Sequence, residues 1–229
     1  KNKLASLETD LIIAEAELSP DHRILDLCGG HGRHSIELCS RGFKRCTVAD
    51  YSGFLIERGK QDAERLGLEV GFLRADARDT GLPDMSFDRV LLLGNSLGYL
   101  PEKDADLEIL REAGRVLKPG GLLALDVSDG AEAPSLAKCS WHEIGDDVVV
   151  CRERERVDSR VRAREMVISK KSGVIKDRTY QIRTYDREAV RALLESAGFE
   201  GVRVRDFGRE NDGDYGFMNR RMILVAGRG

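Results

Sequence analysis

Short apolar runs of strand length alternate with helical patterns between about residues 23 and 127. Within each run the apolar residues follow one another directly, which is typical of strands buried on both faces of a parallel sheet. The pattern predicts strands at residues 23–27, 45–49, 70–74, 87–93 and 121–127, and helices at 6–18, 33–41, 54–66, 103–117 and 187–197. Strands and helices in such alternation form βαβ units, so a doubly wound α/β fold is predicted.

The pattern changes between about residues 128 and 177. Here we predict antiparallel strands at 148–157, 160–169 and 174–185, separated by turns at 158–159 and 170–173. We interpret this region as a meander inserted late in the chain. The prediction is one domain, residues 1–229, in which 129–176 forms an antiparallel lid or a dimerisation element.

Charged residues support the register of the first hairpin in this meander. A two-residue turn at 158–159 brings opposite charges together three times, as Glu155 with Arg162, Glu153 with Arg164, and Arg152 with Glu165. We interpret the arginine-rich hairpin as a solvated, salt-bridged surface. A phosphate- or nucleic-acid-binding patch is the alternative.

A glycine-rich segment follows the first strand and leads into a helix, as Leu27-Cys28-Gly29-Gly30-His31-Gly32-Arg33-His34-Ser35. Glycines let the backbone approach a ligand closely, and a helix N-terminus offers free N–H groups to a carboxylate or phosphate. The dinucleotide fingerprint Gly-x-Gly-x-x-Gly is only partly met, because Ser35 stands at the third glycine position. The segment predicts a ligand-binding loop and leaves the ligand open.

Two carboxylates follow predicted strands at the same end of the sheet. Asp50 ends the second strand, where a carboxylate can accept both ribose hydroxyls of an adenosine, or can cap the next helix. Asp76 follows the third strand, where it can meet an adenine amino group or simply form a turn.

Three segments separate the chain from a dehydrogenase: Leu25-Asp26-Leu27-Cys28-Gly29-Gly30-His31-Gly32, Phe87-Asp88-Arg89-Val90 and Val116-Leu117-Lys118-Pro119-Gly120-Gly121. Together they resemble the class I S-adenosylmethionine-dependent methyltransferases of the small-molecule type, and the resemblance extends from Asp26 to about Ala226. It implies a doubly wound, Rossmann-like, seven-stranded sheet with an antiparallel β insertion before strand six. It also implies S-adenosylmethionine as cofactor and S-adenosylhomocysteine as product.

The resemblance implies roles for single residues. In that family the residues matching Gly30 and Gly32 cradle the methionine portion, the one matching Asp50 holds the ribose, and the one matching Asp76 reads the adenine. The loop Gly94-Asn95-Ser96 is expected beside the sulfonium and the acceptor. We expect these cofactor-binding residues: Asp26, Cys28, Gly29, Gly30, Gly32, His34, Asp50, Tyr51, Asp76, Ala77, Gly94 and Asn95.

Cys28 stands where most members of that family have the first glycine of the loop. A cysteine there requires a negative φ or tolerated strain. We interpret it as a small packing residue and not as a nucleophile, because the sequence indicates neither a basic partner nor a helix dipole for its thiolate.

Seven residues are candidates for contact with the acceptor: Ser96, Tyr99, Trp141, His142, Arg183, Tyr185 and Arg221. The last three can hold an anionic acceptor or form buried charge pairs, and Trp141 with His142 can cover the acceptor or pack within the lid. We predict no obligatory catalytic residue, because the sulfonium leaving group is already activated. If the acceptor needs a general base, the candidates are His142, His34 and Tyr185.

The amino-acid composition limits the kinds of partner that this protein can bind. Lys and Arg number 37 against 40 Asp and Glu, a formal charge of -3, so no global basic field attracts nucleic acid or anionic lipid. Five widely spaced cysteines without a Cys-x-x-Cys pair favour free thiols and no metal site. Without an 18-residue apolar run or a secretory signal, we expect a cytoplasmic protein that does not bind a membrane.

The absence of certain motifs reduces the range of possible methyl acceptors. The loop after the fourth strand holds no Asn-Pro-Pro-Tyr or Asp-Pro-Pro-Tyr, which disfavours DNA amino groups and glutamine amides. We therefore expect a small-molecule acceptor, and the edge strands of the insertion allow a homodimer. Two other hypotheses stay open: a non-catalytic S-adenosylmethionine-binding protein and a nicotinamide-dependent oxidoreductase. The missing glycine at position 35 argues against the oxidoreductase.

Overall fold

The computed structural model describes residues 3–131, 139–208 and 220–229. The described helices are α1 (Lys3–Glu15), α2 (Arg33–Ser40), α3 (Gly53–Arg65), α4 (Ala105–Val116) and α5 (Arg187–Ser196). The described strands are β1 (Ile24–Leu27), β2 (Cys46–Asp50), β3 (Gly71–Arg74), β4 (Phe87–Leu92), β5 (Leu117–Ser128), β6 (Cys139–Ile144), β7 (Val148–Val157), β8 (Arg160–Ser169), β9 (Gly173–Arg183), β10 (Phe199–Gly208) and β11 (Arg220–Arg228). Among these residues, no helix has the length and apolar character needed to span a membrane.

Seven strands form one sheet in the order β10-β11-β5-β4-β1-β2-β3. The first five strands of the chain pair in parallel, whereas β11 is antiparallel to both β5 and β10. The strand order reverses between β1 and β4, and open α/β sheets bind their ligands in the crevice at the carboxyl ends of such strands. The predicted Rossmann-like, seven-stranded sheet is confirmed.

Apolar side chains cover both faces of this large sheet. Leu25 and Leu27 of β1 lie in one buried cluster together with Leu110 of α4, and Ile24 lies in a second cluster together with Ile12 of α1. Side chains alternate between the two faces along a strand, so a strand covered on both sides needs apolar residues at successive positions. This explains the uninterrupted apolar runs in the sequence.

Most predicted elements lie close to their observed bounds, and two differ for visible reasons. β5 begins at Leu117 directly after α4, not at Gly121, because Leu117 already pairs with Phe87 of β4, and the irregular Gly120, with a φ of +74°, lies inside the strand. The Pro-Gly-Gly segment is thus an irregular strand start and not a loop. α1 ends at Glu15, three residues before the predicted end, and Glu17 adopts a φ of +51° that no α-helix continues through.

The strands β6, β7, β8 and β9 form a second, antiparallel sheet in that order, called here the small sheet. The predicted register is confirmed, with Glu155 opposite Arg162, Glu153 opposite Arg164, and Arg152 opposite Glu165. Arg164 makes its ion pair with Asp177 of β9, at 2.7 Å, and not with Glu153. We did not predict β6, whose polar residues mask its strand pattern, and residues 132–138 of the predicted insertion lie outside the described residues.

Candidate functional site

β1 leads into a tight loop that ends at the start of α2. Gly30 and Gly32 have φ values of +61° and +75°, in the left-handed region that favours glycine. A Cβ at Gly29 would lie 2.7 Å from the Asp26 Cγ, and one at Gly32 would lie 2.9 Å from the Val48 Cγ2. The loop therefore requires glycines, and it presents backbone instead of side chains to a ligand.

A glycine of α3 supports the same loop from the side. A Cβ at Gly59 would lie 2.4 Å from the Phe72 Cε1 and 2.6 Å from the His31 carbonyl oxygen. The helix therefore packs directly on the glycine loop. We did not predict a role for Gly59, although a glycine inside a helical pattern is itself a signal of close packing.

Cys28 adopts a φ of +57°, so the chain tolerates the strain that a side chain brings to this position. The left-handed conformation costs about 1–2 kcal/mol for a residue other than glycine. Burial, with Asp50 and Asp26 nearby, raises the pKa of the Cys28 thiol to about 12. A thiol that stays protonated is a poor nucleophile, which agrees with the packing role expected for this residue.

Asp26 lies fully buried beneath the loop. Its Oδ2 accepts a hydrogen bond from the Ser35 Oγ at 2.9 Å, whereas its buried Oδ1 has no partner among the described residues. Burial raises the pKa of this carboxyl group. Ser35, at the third position of the glycine fingerprint, thus links α2 to β1.

Asp50 lies half-buried at the end of β2, beside the loop. Its Oδ2 accepts a hydrogen bond from the Gly30 N–H and its Oδ1 accepts one from the Ser52 N–H, both at 2.8 Å. The N-cap of α3 is Ser52, whose hydroxyl accepts from the Leu55 N–H at 3.3 Å, so Asp50 does not serve as the cap. Each carboxylate oxygen can accept a further hydrogen bond, which leaves Asp50 able to bind a diol.

Asp76 follows β3 at the same edge of the sheet. Its carboxylate accepts two hydrogen bonds from the Arg78 guanidinium, at 3.0 and 2.7 Å, and these bonds hold the pKa of Asp76 below its ordinary value. Ala77 beside it is half-buried. Tyr51 is 71% exposed, with the Arg74 guanidinium carbon 6.0 Å from its ring centre. The neighbouring ends of β2 and β3 therefore offer one exposed aromatic ring, from Tyr51, and one carboxylate already paired with a cation, from Asp76.

The loop after β4 joins the ends of two neighbouring strands. Gly94 and Asn95 have φ values of +83° and +57°. The Asn95 N–H donates to the Asp126 Oδ1, and the Asn95 Oδ1 accepts from the Ser128 N–H, both at 2.7 Å. Ser96 donates its hydroxyl hydrogen bond to a carbonyl of the same loop at 2.8 Å. Asn95 thus holds the carboxyl ends of β4 and β5 together.

A buried charge network connects this loop to α1 and α2. Arg221 of β11 pairs with both Asp126 and Glu8, and Glu8 accepts from the His34 Nε2 at 3.1 Å and pairs with Arg33 at 2.9 Å. Burial alone would raise the pKa of Glu8, but the His34 hydrogen bond and the charges of Arg221 and Arg33 together hold it well below its ordinary value. Of the two arrangements considered for Arg221, the structure shows the buried charge pair.

Sequence reasoning missed Glu8 and Asp126. Arg221 and Glu8 are 213 residues apart in the chain, and Arg221 and Asp126 are 95 apart. No local pattern marks such partners. The one usable signal was Asp126 itself, a charged residue inside the apolar run 122–127 of β5.

Arg183 and Tyr185 meet on a second buried carboxylate. The Arg183 Nε and the Tyr185 hydroxyl both donate to the Asp106 Oδ2, at 3.0 and 2.5 Å, while the Asp106 Oδ1 accepts from the Gly98 N–H. Burial and the hydrogen bond to Asp106 raise the pKa of Tyr185. Tyr185 therefore stays protonated at neutral pH, which disfavours it as a general base.

The three remaining candidates lie in different places. The Tyr99 ring is stacked with the Tyr180 ring of β9, with 6.5 Å between the centroids and 21° between the planes. Trp141 is 70% exposed, and His142 follows it opposite the buried Val150. Successive side chains of a strand point to opposite faces, so Trp141 and His142 lie on different sides of the small sheet. The structure does not bring these two side chains together.

The chain is similar to known methyltransferases. A family model described as "Methyltransferase domain" matches residues 24–121. The putative methyltransferase YqeM of Bacillus subtilis is 30% identical over 195 residues, covering 83% of this chain and 78% of that protein. The ubiquinone/menaquinone biosynthesis C-methyltransferase UbiE of Bartonella tribocorum is 36% identical over 131 residues, which is 53% of this chain and 48% of that protein. This chain thus spans about half the length of UbiE.

Two solved structures share the fold. An S-adenosylmethionine-dependent methyltransferase from Clostridium acetobutylicum has a TM-score of 0.79 at 18% identity, covering 100% of this chain and 92% of that one. CalS10 of Micromonospora echinaspora, an amino pentose methyltransferase solved with S-adenosylmethionine bound, has a TM-score of 0.68 at 21% identity, covering 99% and 90%. The family match contains the glycine loop, Asp50, Asp76 and the loop after β4, and it ends before the small sheet.

Proposed function

This chain belongs to the class I S-adenosylmethionine-dependent methyltransferases, and on that premise we propose that it methylates a small-molecule acceptor by direct in-line displacement. It is an S-adenosylmethionine-dependent methyltransferase, with S-adenosylmethionine as its cofactor. The names of UbiE and CalS10 refer to ubiquinone/menaquinone biosynthesis and to an amino pentose, which supports a small molecule as the acceptor here too.

The proposal rests on the hydrogen bond between Asp50 and the glycine loop, which is the loop of residues 28–32 after β1. The loop packs so closely that a Cβ at Gly29 or Gly32 would collide with the strands below. The Gly30 N–H donates to the Asp50 carboxylate at 2.8 Å, so the backbone of the loop lies directly beside a carboxylate whose chemistry suits the hydroxyls of a diol. The methionine and ribose groups of one ligand can use that pair of features, which supports the fit of these residues to the cofactor.

We assign the cofactor contacts by chemistry. Gly30 and Gly32 would meet the methionine portion, Asp50 the ribose hydroxyls, and Asp76 with Tyr51 the adenine end. The Arg78 ion pair leaves Asp76 with fewer open acceptor positions than Asp50 has. When bound, the cofactor supplies a methyl group on a sulfonium that is already activated for transfer.

The protein's own part is to position the acceptor and exclude water. Two of the candidate bases are occupied, since His34 bonds to Glu8 and the hydroxyl of Tyr185 bonds to Asp106. We therefore propose that alignment, not proton removal by a side chain, is the main contribution of these residues.

We propose that the small sheet is the lid over the acceptor. Its arginine Arg156 donates from Nη1 to the Gly130 carbonyl at 2.9 Å, just beyond the end of β5, and Tyr180 stacks on Tyr99 beside the loop after β4. Both contacts lie at the carboxyl end of the large sheet. Its edge strands β6 and β9 also support the homodimer as a proposal, which light scattering in solution tests.

Calorimetric titration tests the cofactor site. Wild type should bind S-adenosylmethionine and not NADH, and Asp50→Ala should weaken the binding by about 2 kcal/mol, roughly thirtyfold, because a charged acceptor of hydrogen bonds is lost. Glu57→Ala is the control, since the side chain of this glutamate in α3 is 64% exposed and its ion pair is with Lys60, which is itself on the surface. Equal losses in both variants, or binding of NADH alone, would overturn the assignment.

A further inference from the structure

The two faces of the small sheet differ in charge. Side chains alternate along paired strands, and the register places four arginines, one lysine and one glutamate on the face that holds Tyr180: Arg152, Arg154, Arg156, Arg178, Lys176 and Glu165. The opposite face mixes acids and bases, with Glu153, Glu155 and Asp177 beside Arg162 and Arg164. A protein of net charge -3 thus concentrates positive charge on one side of one sheet.

That positive face turns toward the loop after β4. Tyr180 stacks on Tyr99, and the Arg178 guanidinium carbon lies 5.1 Å from the centre of the Tyr180 ring. Burial and Tyr180 raise the pKa of Tyr99, while Asn95, Arg178 and Arg152 act to lower it. These groups act on one hydroxyl, so the arginines lie within electrostatic range of the loop that follows β4.

Glu165 orients two of these arginines. Its Oε2 accepts from the Arg152 Nε at 2.7 Å, and its Oε1 accepts from the Arg178 Nε and Nη2 at 3.1 and 2.8 Å. Within the described part of the chain, both terminal nitrogens of Arg152 and the Nη1 of Arg178 make no hydrogen bond. A guanidinium held at one edge presents its other donors in a fixed plane, which suits a carboxylate or phosphate.

We propose that the acceptor is an anionic small molecule whose carboxylate or phosphate binds Arg152 and Arg178 while its planar part lies against Tyr99. This rests on the proposed function, because it names the substrate class of the same site. Tyr99 is 48% exposed, so its ring has surface left for a ligand. Arg183 and Arg221, the residues expected from sequence to bind an anion, are held by Asp106 and by Glu8 with Asp126.

Fluorine NMR on the full chain loaded with S-adenosylhomocysteine tests the proposal with simple probes. The probes are 4-fluorobenzoate, 4-fluorophenyl phosphate and the neutral 4-fluorobenzamide. Wild type should bind at least one of the two anionic probes ten times or more as tightly as it binds the amide. Whichever anionic probe binds more tightly shows whether the site prefers a carboxylate or a phosphate. Equal binding of all three probes, or no binding of either anion, overturns the proposal.

A pair of double variants with equal charge change locates the site. Arg152→Gln with Arg178→Gln should weaken the anionic probe at least tenfold, whereas Arg162→Gln with Arg164→Gln on the opposite face should change it less than twofold. Equal losses would mean that net charge alone is responsible, and the proposal falls. Should the first double variant unfold, Arg178→Lys alone keeps the charge and loses the planar fork, and it should weaken the probe at least threefold.

Calorimetry with S-adenosylmethionine distinguishes failure of the proposed function from failure of the proposed acceptor class. If wild type does not bind the cofactor, the proposed function itself fails. If the cofactor binds equally to all variants and no anionic probe binds, the cofactor site stands and only the acceptor class is wrong.

Discussion

A network of carboxylates and arginines lies on each sheet of this protein, one centred on Arg221 and the other on Glu165, and the two central residues have opposite charge. In the large sheet Arg221 lies between Glu8 and Asp126, and the side chains are only 3%, 6% and 6% exposed. In the small sheet Glu165 lies between Arg152 and Arg178, whose side chains are 29% and 50% exposed. The first network is closed within the core, and the second opens to water.

This difference separates structure from recognition. A charge removed from water must be fully paired, so the donors of Arg221 are committed to Glu8 and Asp126. Arg152 and Arg178 remain partly hydrated, and their spare donors can bind a ligand at a low desolvation cost. An arginine in a cleft is therefore a good candidate for binding a ligand only when its carboxylate partner leaves some of the guanidinium N–H donors without a hydrogen bond.

Loss of Arg221 should give the largest effect. Arg221→Gln leaves Asp126 buried without its cation and removes from Glu8 a cation that Arg33 and His34 replace only in part, so it should lower the free energy of unfolding by about 3–5 kcal/mol. Urea unfolding followed by circular dichroism measures this. The surface control Arg162→Gln should cost under about 0.5 kcal/mol. A loss below about 1 kcal/mol for Arg221→Gln would mean that the closed network does not support the fold.

Acid should weaken the closed network through Glu8. Its pKa is lowered in the folded state, so its contribution is complete above the unfolded value of 4.5 and is lost as pH falls below that value toward the folded pKa. Wild type should lose about 1–2 kcal/mol more than Glu8→Gln between pH 4.5 and 3, since one proton contributes about 1.4 kcal/mol per pH unit. Urea unfolding at both pH values measures the difference, and parallel curves would contradict it.

Loss of Glu165 should cost less than loss of Arg221. Glu165→Gln removes a buried carboxylate, but Arg152 and Arg178 can turn to water, so we expect a loss of about 1 kcal/mol of unfolding free energy. Affinity for S-adenosylmethionine should stay within twofold, because the residues proposed to bind the cofactor lie on the large sheet. A loss as large as that of Arg221→Gln would remove the distinction between the two networks.

The smallest effect on stability is expected in the glycine loop. Cys28→Gly removes the strain of a left-handed cysteine, about 1–2 kcal/mol, but the glycine also favours the unfolded chain by about 0.5–1 kcal/mol through its backbone entropy. The free energy of unfolding should therefore rise by roughly 0.5 kcal/mol. Thermal unfolding measures the gain. Cys28→Ala keeps the Cβ and should give none, so equal melting temperatures for the two variants would show that the strain is unimportant.

The sequence predicted the local features well. The register of β7 with β8 followed from a two-residue turn, since such a turn leaves one register that places charges opposite each other. The partner of Arg164 did not follow, because β9 offers Asp177 on its other side as well as Glu153 on β7. A register states which residues are opposite, and side-chain competition between two neighbouring strands decides which of them bond.

The proposed cofactor residues could be named from the sequence because they lie close together in the chain. The glycine loop is one continuous segment and Asp50 ends the next strand, so the resemblance to the family assigned a role to each, and the structure joins the two through the Gly30–Asp50 hydrogen bond. The identity of the acceptor residues was not readable in the same way. Trp141 and His142 are neighbours in sequence and lie on opposite faces of the small sheet.

The sequence by itself determined the Rossmann-like sheet, the glycine loop and the charge pattern of the β7–β8 hairpin, because each depends on contacts between near neighbours or on the burial of whole apolar runs. Tertiary structure alone decided that Glu8 and Asp126 enclose Arg221, and that Glu165 leaves Arg152 and Arg178 with open donors. The physical reason is that a buried charge selects its partner by distance in space, and residues 213 positions apart carry no mark of that distance in the sequence.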